Sequence, residues 1–324
     1  MSEASEAGDP DLQHCEDCMT PAEAFSVIGN ETRLSILEAL WKADERPVSF
    51  SDLRKAVGMR DSAQFNYHLD KLRGQFVRKT DDGYGFRHAG WAVIHAVQAG
   101  SLNEHPRIEP FAVEGDCVDC GGDLQASYDD ERIAVDCADC GRVHADYPFP
   151  PGGLDDRTTD EVMAAFNQRV RHLHCLMADG VCPECSGTVE TRVVRDPATF
   201  DLDVAVRHEC RRCRHQLTTS VGQVLLDHAE IVSYYRDHGI DLNRVPFWTL
   251  DWCTDDEHTT VIDDDPWRIR LDIPVDTDEP NSSSGRDASR PDNDETLSLT
   301  VDETLVVVGV ERTPVEGESA ETTA

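Results

Sequence analysis

No stretch of this 324-residue chain approaches the ~20 consecutive apolar residues that a membrane-spanning helix needs. The opening MSEASEAGDPD has neither the basic start nor the apolar stretch of a secretory leader, so the expected compartment is the cytoplasm. HExxH, P-loop, Rossmann and GxSxG patterns are all missing, which removes the commonest catalytic scaffolds from consideration. Lysine is scarce, and arginine supplies most of the positive charge. What is present suffices for folding. A hydrophobic fraction of 39% can bury cores and excludes global disorder, and the length suits two or three domains.

Acids dominate: 64 Asp and Glu against 30 Lys and Arg, a net charge of −34. Such a balance repels phosphate at ordinary salt. Acidic tails could account for it, but the acids are spread along the chain, which favours adaptation to molar salt. There the Debye length is about 3 Å, so distant carboxylates fall nearly silent. A DNA binder in that setting depends on short-range hydrogen bonds and packing. The distribution then matters more than the total. Residues 21–100 hold 11 basic and 10 acidic residues, a net of +1, which leaves −35 for the rest. A segment that approaches phosphate would show that local relief.

Within it, Ala22–Ala43 has helical apolar spacing (Phe25, Ile28, Leu34, Ile36, Leu37, Leu40, Trp41) broken at Gly29-Asn30, with Asn30 able to cap the second piece. After the extended run Val48–Phe50, a helix is expected over Ser51–Val57, capped by Ser51, with Leu53, Ala56 and Val57 inward. A turn containing Gly58 leads to a second helix, Ser62–Arg73, capped by Asp61 or Ser62. Phe65, Leu69 and Leu72 make its buried stripe, and His68 reads as structural. Two short strands, Phe76–Thr80 and Tyr84–Arg87, join through Asp82-Gly83, and a helix over His88–Ala99 follows. Helix, turn, helix, hairpin is the order of a winged helix-turn-helix, which reads double-stranded DNA with its second helix. The candidate DNA contacts are Arg60, Ser62, Ala63, Gln64, Asn66, Tyr67 and Lys71 around that helix, and Arg78, Lys79 and Arg87 on the wing. Asp81 and Asp82 at the tip argue against deep minor-groove insertion.

The run FSVIGNETRLSIL from Phe25 resembles the opening helix of ArsR-type winged-helix regulators. SAQFNYHLDKL from Ser62 resembles their recognition helix. The block is similar to helix-turn-helix proteins typical of haloarchaea over about residues 22–100. The resemblance implies a homodimer on a two-fold operator, with His88–Ala99 (Trp91, Ile94, Val97) as a dimer element. Metal-sensing members carry a cysteine pair in the helix before the recognition helix. Ser51–Val57 has none, which puts metal sensing at that place in doubt.

Ten of the twelve cysteines fall in CxxC pairs. Cys117/Cys120 and Cys137/Cys140 stand sixteen residues apart, and Cys182/Cys185 and Cys210/Cys213 stand 24 apart. In a cytosolic chain such paired knuckles point to metal rather than disulfides. With strand-like segments between them (124–128 and 133–135; 189–194 and 202–207), each set reads as a zinc ribbon, giving two structural Zn2+ ions in closed four-thiolate sites. Cys15/Cys18 beside His14, in a mobile arm, is a weaker metal signal. Cys175 reads as a packed thiol, and Cys253 stands alone. The basic run Arg207–His215 is either a second nucleic-acid contact or a partner for nearby acids.

The expected fold is α+β: a winged helix-turn-helix, two zinc-ribbon modules with intervening helices, and a small C-terminal β element. The boundaries are an arm over 1–20, the DNA-binding domain over 21–103 and the first ribbon over 104–150. A helix with the second ribbon covers 157–220, a helix and β region covers 221–311, and a tail covers 312–324. Residues 101–116 read as a linker and 276–295 as a disordered one. Asp160–Met177 and Gly222–His238 read as helices, with Phe247, Trp248 and Trp252 packed on the latter. Asp255–Asp265 reads as an acidic loop, Trp267–Val275 as a strand and Leu297–Val310 as a strand or strand pair. Three functions follow in order of support. The first is a DNA-binding transcriptional regulator. The second is a general transcription factor contacting RNA polymerase, since archaeal transcription factor E also joins a winged helix to a zinc ribbon. The third is a zinc enzyme, which would need an open coordination position that eight ribbon thiolates do not leave. A pure interaction module would show no DNA affinity.

Overall fold

Four short side chains start the first four helices. In the computed structural model, which describes residues 19–196, 202–274 and 295–314, Thr20 and Glu23 cap each other reciprocally at the head of α1 (Pro21–Ile28). Asn30 Oδ1 accepts the Arg33 N–H (3.2 Å) and opens α2 (Glu31–Lys42). Ser49 Oγ accepts the Asp52 N–H (3.1 Å) and opens α3 (Phe50–Ala56). Asp61 Oδ1 accepts the N–H groups of Ala63 (2.8 Å) and Gln64 (3.1 Å) and opens α4 (Ser62–Leu72). An antiparallel hairpin, β1 (Val77–Thr80) and β2 (Gly83–Phe86), and α5 (His88–Gln98) complete this unit, Met1–Asn103. Its core joins Ile36, Leu37, Leu40, Leu53, Phe65, Leu69, Leu72 and Ile94 to the hairpin residues Tyr84 and Phe86. Val48 exchanges two 2.9 Å backbone hydrogen bonds with Tyr84. That approach demands glycine next door, because a Cβ at Gly83 would lie 2.4 Å from the Val48 carbonyl oxygen.

Three local expectations change. The third helix begins one residue early, at Phe50, so Ser49 and not Ser51 is its cap. Phe50 enters the helix because its ring packs edge-on against Phe65, centroids 5.1 Å apart. Ala56 is exposed, and Phe25, expected in the core, is 71% exposed because α1 buries none of its residues fully.

The second unit, Glu104–Ala324, is built on three antiparallel sheets with helices between them. The first sheet is a meander of β3 (Ile108–Asp116), β4 (Asp123–Asp129), β5 (Arg132–Cys137) and β6 (Val143–Pro148). The helix α6 (Thr159–Ala178) follows, capped by a Thr158–Glu161 box. The second sheet holds β7 (Val189–Asp196), β8 (Leu202–Cys210) and β9 (Gln216–Thr219). Short helices α7 (Val221–Leu225), α8 (Ala229–Asp237) and α9 (Asp251–Thr254) come next. The third sheet runs in sequence order: β10 (Thr259–Asp264), β11 (Trp267–Pro274), β12 (Glu295–Asp302) and β13 (Val307–Pro314). One continuous apolar core connects all three sheets, from Leu124 and Tyr128 through Phe166, Val206, Trp248 and Trp252 to Leu271 and Leu299. α6 lies along it with Val162, Phe166, Val170 and Met177 at helical spacing. Two of its buried polar side chains are tied to the loop that follows α8 and to Asp227. Asn167 bridges the Val245 carbonyl (3.2 Å) and the Phe247 N–H (3.1 Å), and Arg171 donates to the Leu242 carbonyl (2.6 Å) and to Asp227 (2.5 Å).

The mixed α+β class is as expected, but several boundaries are not. Residues 101–116 are not all linker, since 108–116 pair with β4. The helix expected over Gly222–His238 is two helices, separated where the His228 ring accepts the Glu230 N–H (3.3 Å) and caps α8. The acidic loop around 255–265 contains β10, paired with β11. The C-terminal strands form a hairpin that reaches Pro314. The arm with Cys15 and Cys18, most of the 276–295 linker and residues 315–324 lie outside the described residues; Glu295 itself starts β12. Among the described residues no helix is long and apolar enough to cross a membrane.

Candidate functional site

Each CxxC turn presents two sulfurs to the same point. In the first sheet the Sγ atoms of Cys117 and Cys140 are 3.6 Å apart, and those of Cys120 and Cys137 are 3.5 Å apart. In the second, Cys182 and Cys213 are 3.6 Å apart, and Cys185 and Cys210 are 3.5 Å apart. All four sulfurs of each quartet lie within 4.8 Å of one another. A tetrahedron with metal–sulfur bonds of about 2.3 Å has sulfur–sulfur edges of about 3.8 Å, whereas a disulfide needs about 2.05 Å. The quartets therefore fit a four-coordinate metal ion and not disulfides. Main-chain N–H groups already favour the thiolate. Those of Cys140 and Asp139 point at Cys137 Sγ (both 3.4 Å) and pull that thiol down to about 7. Those of Cys213 (3.5 Å) and Arg212 (3.4 Å) pull Cys210 down to about 6. Two cysteines of each quartet are buried and at least one is exposed. The eight ligands expected from sequence are thus brought together as two sets.

A residue that spacing missed joins the first set. His144, buried on β6, places Nε2 3.4 Å from Cys117 Sγ. No CxxC or HxxH pattern marks it, because the meander returns it to the knuckle from 27 residues away.

The other candidate surface is on α4. Phe65, Leu69 and Leu72 are completely buried, while Ser62, Ala63, Gln64, Asn66, Tyr67 and Lys71 are exposed. Lys71 Nζ sits 5.6 Å from the Tyr67 ring centroid, and Asn66 donates to Asp70 (2.9 Å). Arg60 is exposed in the turn before α4, where its carbonyl accepts from Arg54 (2.6 Å). Arg78 and Lys79 are exposed on β1, and Arg87 is exposed where β2 meets α5. An open groove runs between α4 and the hairpin, lined by Asp70, Arg73, Arg78, Lys79, Arg87 and His88 among others. Arg73 and His88 belong to this groove but are not among the candidate contacts expected from the sequence. Asp81 and Asp82 are exposed at the hairpin tip, as expected. His68 is half-buried, its ring edge-on to Tyr67.

The basic run on β8 and its knuckle is largely ion-paired. Arg211 donates to Glu190 (2.6 and 2.8 Å) and Arg214 to Glu209 (2.9 Å). Inside the second unit, His174, buried on α6, has Nε2 3.1 Å from the Tyr147 hydroxyl, which donates to Gln223 (3.3 Å). Its Nδ1 has no partner, and burial pushes the imidazole down to about 3. At the surface edge, His258 bonds Asp251 (3.0 Å), which raises its basicity.

Compared with known proteins, the chain matches two families. One, described as Domain of unknown function (DUF7351), covers residues 114–289. The other, described as Domain of unknown function (DUF7347), covers residues 21–97. No curated protein matches the chain, and no solved structure does.

Proposed function

The chain belongs to the DUF7351 family, and we propose that it is a DNA-binding transcriptional regulator. Its first unit reads as a winged helix-turn-helix of the ArsR-like, haloarchaeal kind, and its second unit as two structural zinc ribbons. The observation that carries this reading is the one-sidedness of α4: three apolar anchors with no exposure, and an exposed face with Ser62, Gln64, Asn66, Tyr67 and Lys71 in the same unit as the cations of β1. A solvated helix needs neither the cations nor the preceding turn. A helix laid in the major groove uses both.

In this reading Gln64 and Asn66 reach base edges, Gln and Asn being able to pair bidentately with adenine. Tyr67 and Lys71 address base edges or phosphates, and Arg60, Arg78, Lys79 and Arg87 hold the backbone. Asp81 and Asp82 keep the hairpin tip out of the minor groove. Two copies pair through α5 on a two-fold-related site. Each thiolate quartet, with all four ligands supplied by protein, holds zinc without an open position, so the ion stabilises the fold and offers no catalysis. Structural zinc contributes on the order of 10 kcal/mol or more to such small modules.

Binding to genomic fragments at molar salt, followed by electrophoretic shift on the selected site, tests the reading. Gln64→Ala and Tyr67→Ala should each weaken specific binding by ~5- to 150-fold, the equivalent of about 1–3 kcal/mol for a lost base contact. Zinc content and the circular dichroism spectrum should stay unchanged. Normal affinity in both variants would mean that α4 does not read the operator.

A further inference from the structure

The two thiolate modules share a design but not a charge. From Cys117 to Pro148 the first contains eight acids and two arginines, a net of −6. From Cys182 to Thr219 the second contains six acids and six arginines, a net of 0, within a chain of −34. The contrast is sharpest at matching places. The third and fourth ligands enclose Ala138-Asp139 in the first module and Arg211-Arg212 in the second.

Strand register sorts these charges onto one face. Glu190 pairs with Glu209, and Arg192 with Arg207. Their neighbours Val189 and Val193, and Val206, His208 and Cys210, are buried on the opposite face. The solvent-accessible side chains of β7–β9 and the knuckle beside them thus combine Arg192, Arg207, Arg211, Arg212 and Arg214 with Glu190, Asp203 and Glu209, a net of +2 among them. The N–H groups of Arg212 and Cys213 bind Cys210 Sγ, so the turn that carries the arginines is held by a ligand of the quartet. The existing ion pairs are at the surface: the side chains of Arg192, Arg211 and Arg214 are 59%, 66% and 75% exposed. Exposed pairs of this kind are weak and exchange readily for another anion. No lysine occurs after Lys79, so the cations here are all guanidinium, whose planar fork matches phosphate oxygens two at a time.

We propose that this arginine face is a second phosphate-contacting surface, which lies against the backbone of double-stranded DNA and adds affinity without sequence preference. It rests on reading the chain as a DNA-binding protein. It departs from that reading by giving the second unit a direct share of the contact. DNA is favoured over an acidic protein because residues 21–100, which are likewise spared the acidification, carry the α4 face.

The test uses the full-length, zinc-loaded chain and a fluorescent duplex containing the selected site, titrated at several KCl concentrations within the range where circular dichroism shows a folded protein. Three variants are compared: Arg211→Gln/Arg212→Gln/Arg214→Gln, the charge-matched Arg236→Gln/Arg244→Gln/Arg268→Gln, and Gln64→Ala/Tyr67→Ala. The knuckle variant should lose about tenfold or more in affinity, and its log–log salt slope should fall by about 2, since each phosphate contact contributes ~0.9. Its preference for the selected site over a scrambled duplex should be retained, and its zinc content should stay at two per chain. The charge-matched variant should behave like wild type. Equal slopes for the knuckle and charge-matched variants overturn the proposal while leaving the α4 reading intact, and an acidic protein partner in place of DNA gives that same result. Loss in the knuckle variant together with unchanged binding by the Gln64/Tyr67 variant keeps the proposal and overturns the α4 reading. No binding by wild type overturns both.

Discussion

His144 shows what a single side chain adds to a metal centre. With Nε2 3.4 Å from Cys117 Sγ, it can donate a hydrogen bond to a bound thiolate and so hold that ligand's charge and direction. Replacing it with alanine should lower the affinity of the first quartet for zinc by ~10- to 100-fold and leave the second unaffected. Competition with a chromophoric chelator would then release one ion per chain early and one late; two ions released as in wild type would remove the role. The eight cysteines were legible in the sequence because a knuckle is a local object, two ligands three residues apart. His144 was not, because only the β4–β5–β6 meander brings it there. Ser49 and Ser51 illustrate a different limit. Both can cap a helix, and the choice is made by Phe50 packing on Phe65, a contact across 15 positions that no local rule contains.

Among elements, helices with clean apolar spacing were the easiest to read: α2, α4 and α6 all bury the stripes their sequences present. The strands β3 and β10 were missed for a common reason. Glu109, Pro110, Glu114 and Asp116 are exposed on β3, and β10 runs into Asp263 and Asp264, so the alternation that should mark a strand is masked by a charged, loop-like composition. The break between α7 and α8 was missed because Leu225 and Leu226 continue the apolar pattern through it. The packing of α7 offers a direct test. A Cβ at Gly222 would lie 1.8 Å from the Trp252 carbonyl oxygen, so Gly222→Ala must push α7 away from α9 and should cost about 3 kcal/mol in denaturant unfolding. Gly58, between α3 and α4, has a φ of +73° but open space around its Cα. Gly58→Ala should cost only about 1 kcal/mol, the strain of a left-handed alanine. Equal costs would mean that the α7–α9 contact is looser than described.

For the molecule as a whole, stability depends on pH through histidines of the second unit. Buried histidines set a pH limit, His174 and His208 among them. His174 has its imidazole held down at about 3 by burial, against 6.5 when the chain is unfolded. A base lowered in the folded state leaves stability intact above pH 6.5 and drains it as pH falls below that value, by ~1.4 kcal/mol per unit. Between pH 6.5 and 5 the second unit should therefore lose about 2 kcal/mol through this residue. His258, raised by Asp251, acts on the other side: its contribution is complete below pH 6.5 and is lost as pH rises through its own raised value. His174→Gln should flatten the acid slope of the unfolding midpoint, and parallel slopes in variant and wild type would exclude His174 as its source. The strand β3 carries a further consequence, for how such a chain can be assembled from parts. Its residues Ile108, Phe111 and Val113 pack on the core of the second unit, and its Glu114 carbonyl accepts the Trp248 indole N–H (3.2 Å). A fusion or deletion that joined another N-terminal unit directly to Cys117 would strip an outer plank from the first sheet and orphan a buried indole. The viable seam for exchanging the first unit, in the laboratory or over evolutionary time, lies ahead of Ile108.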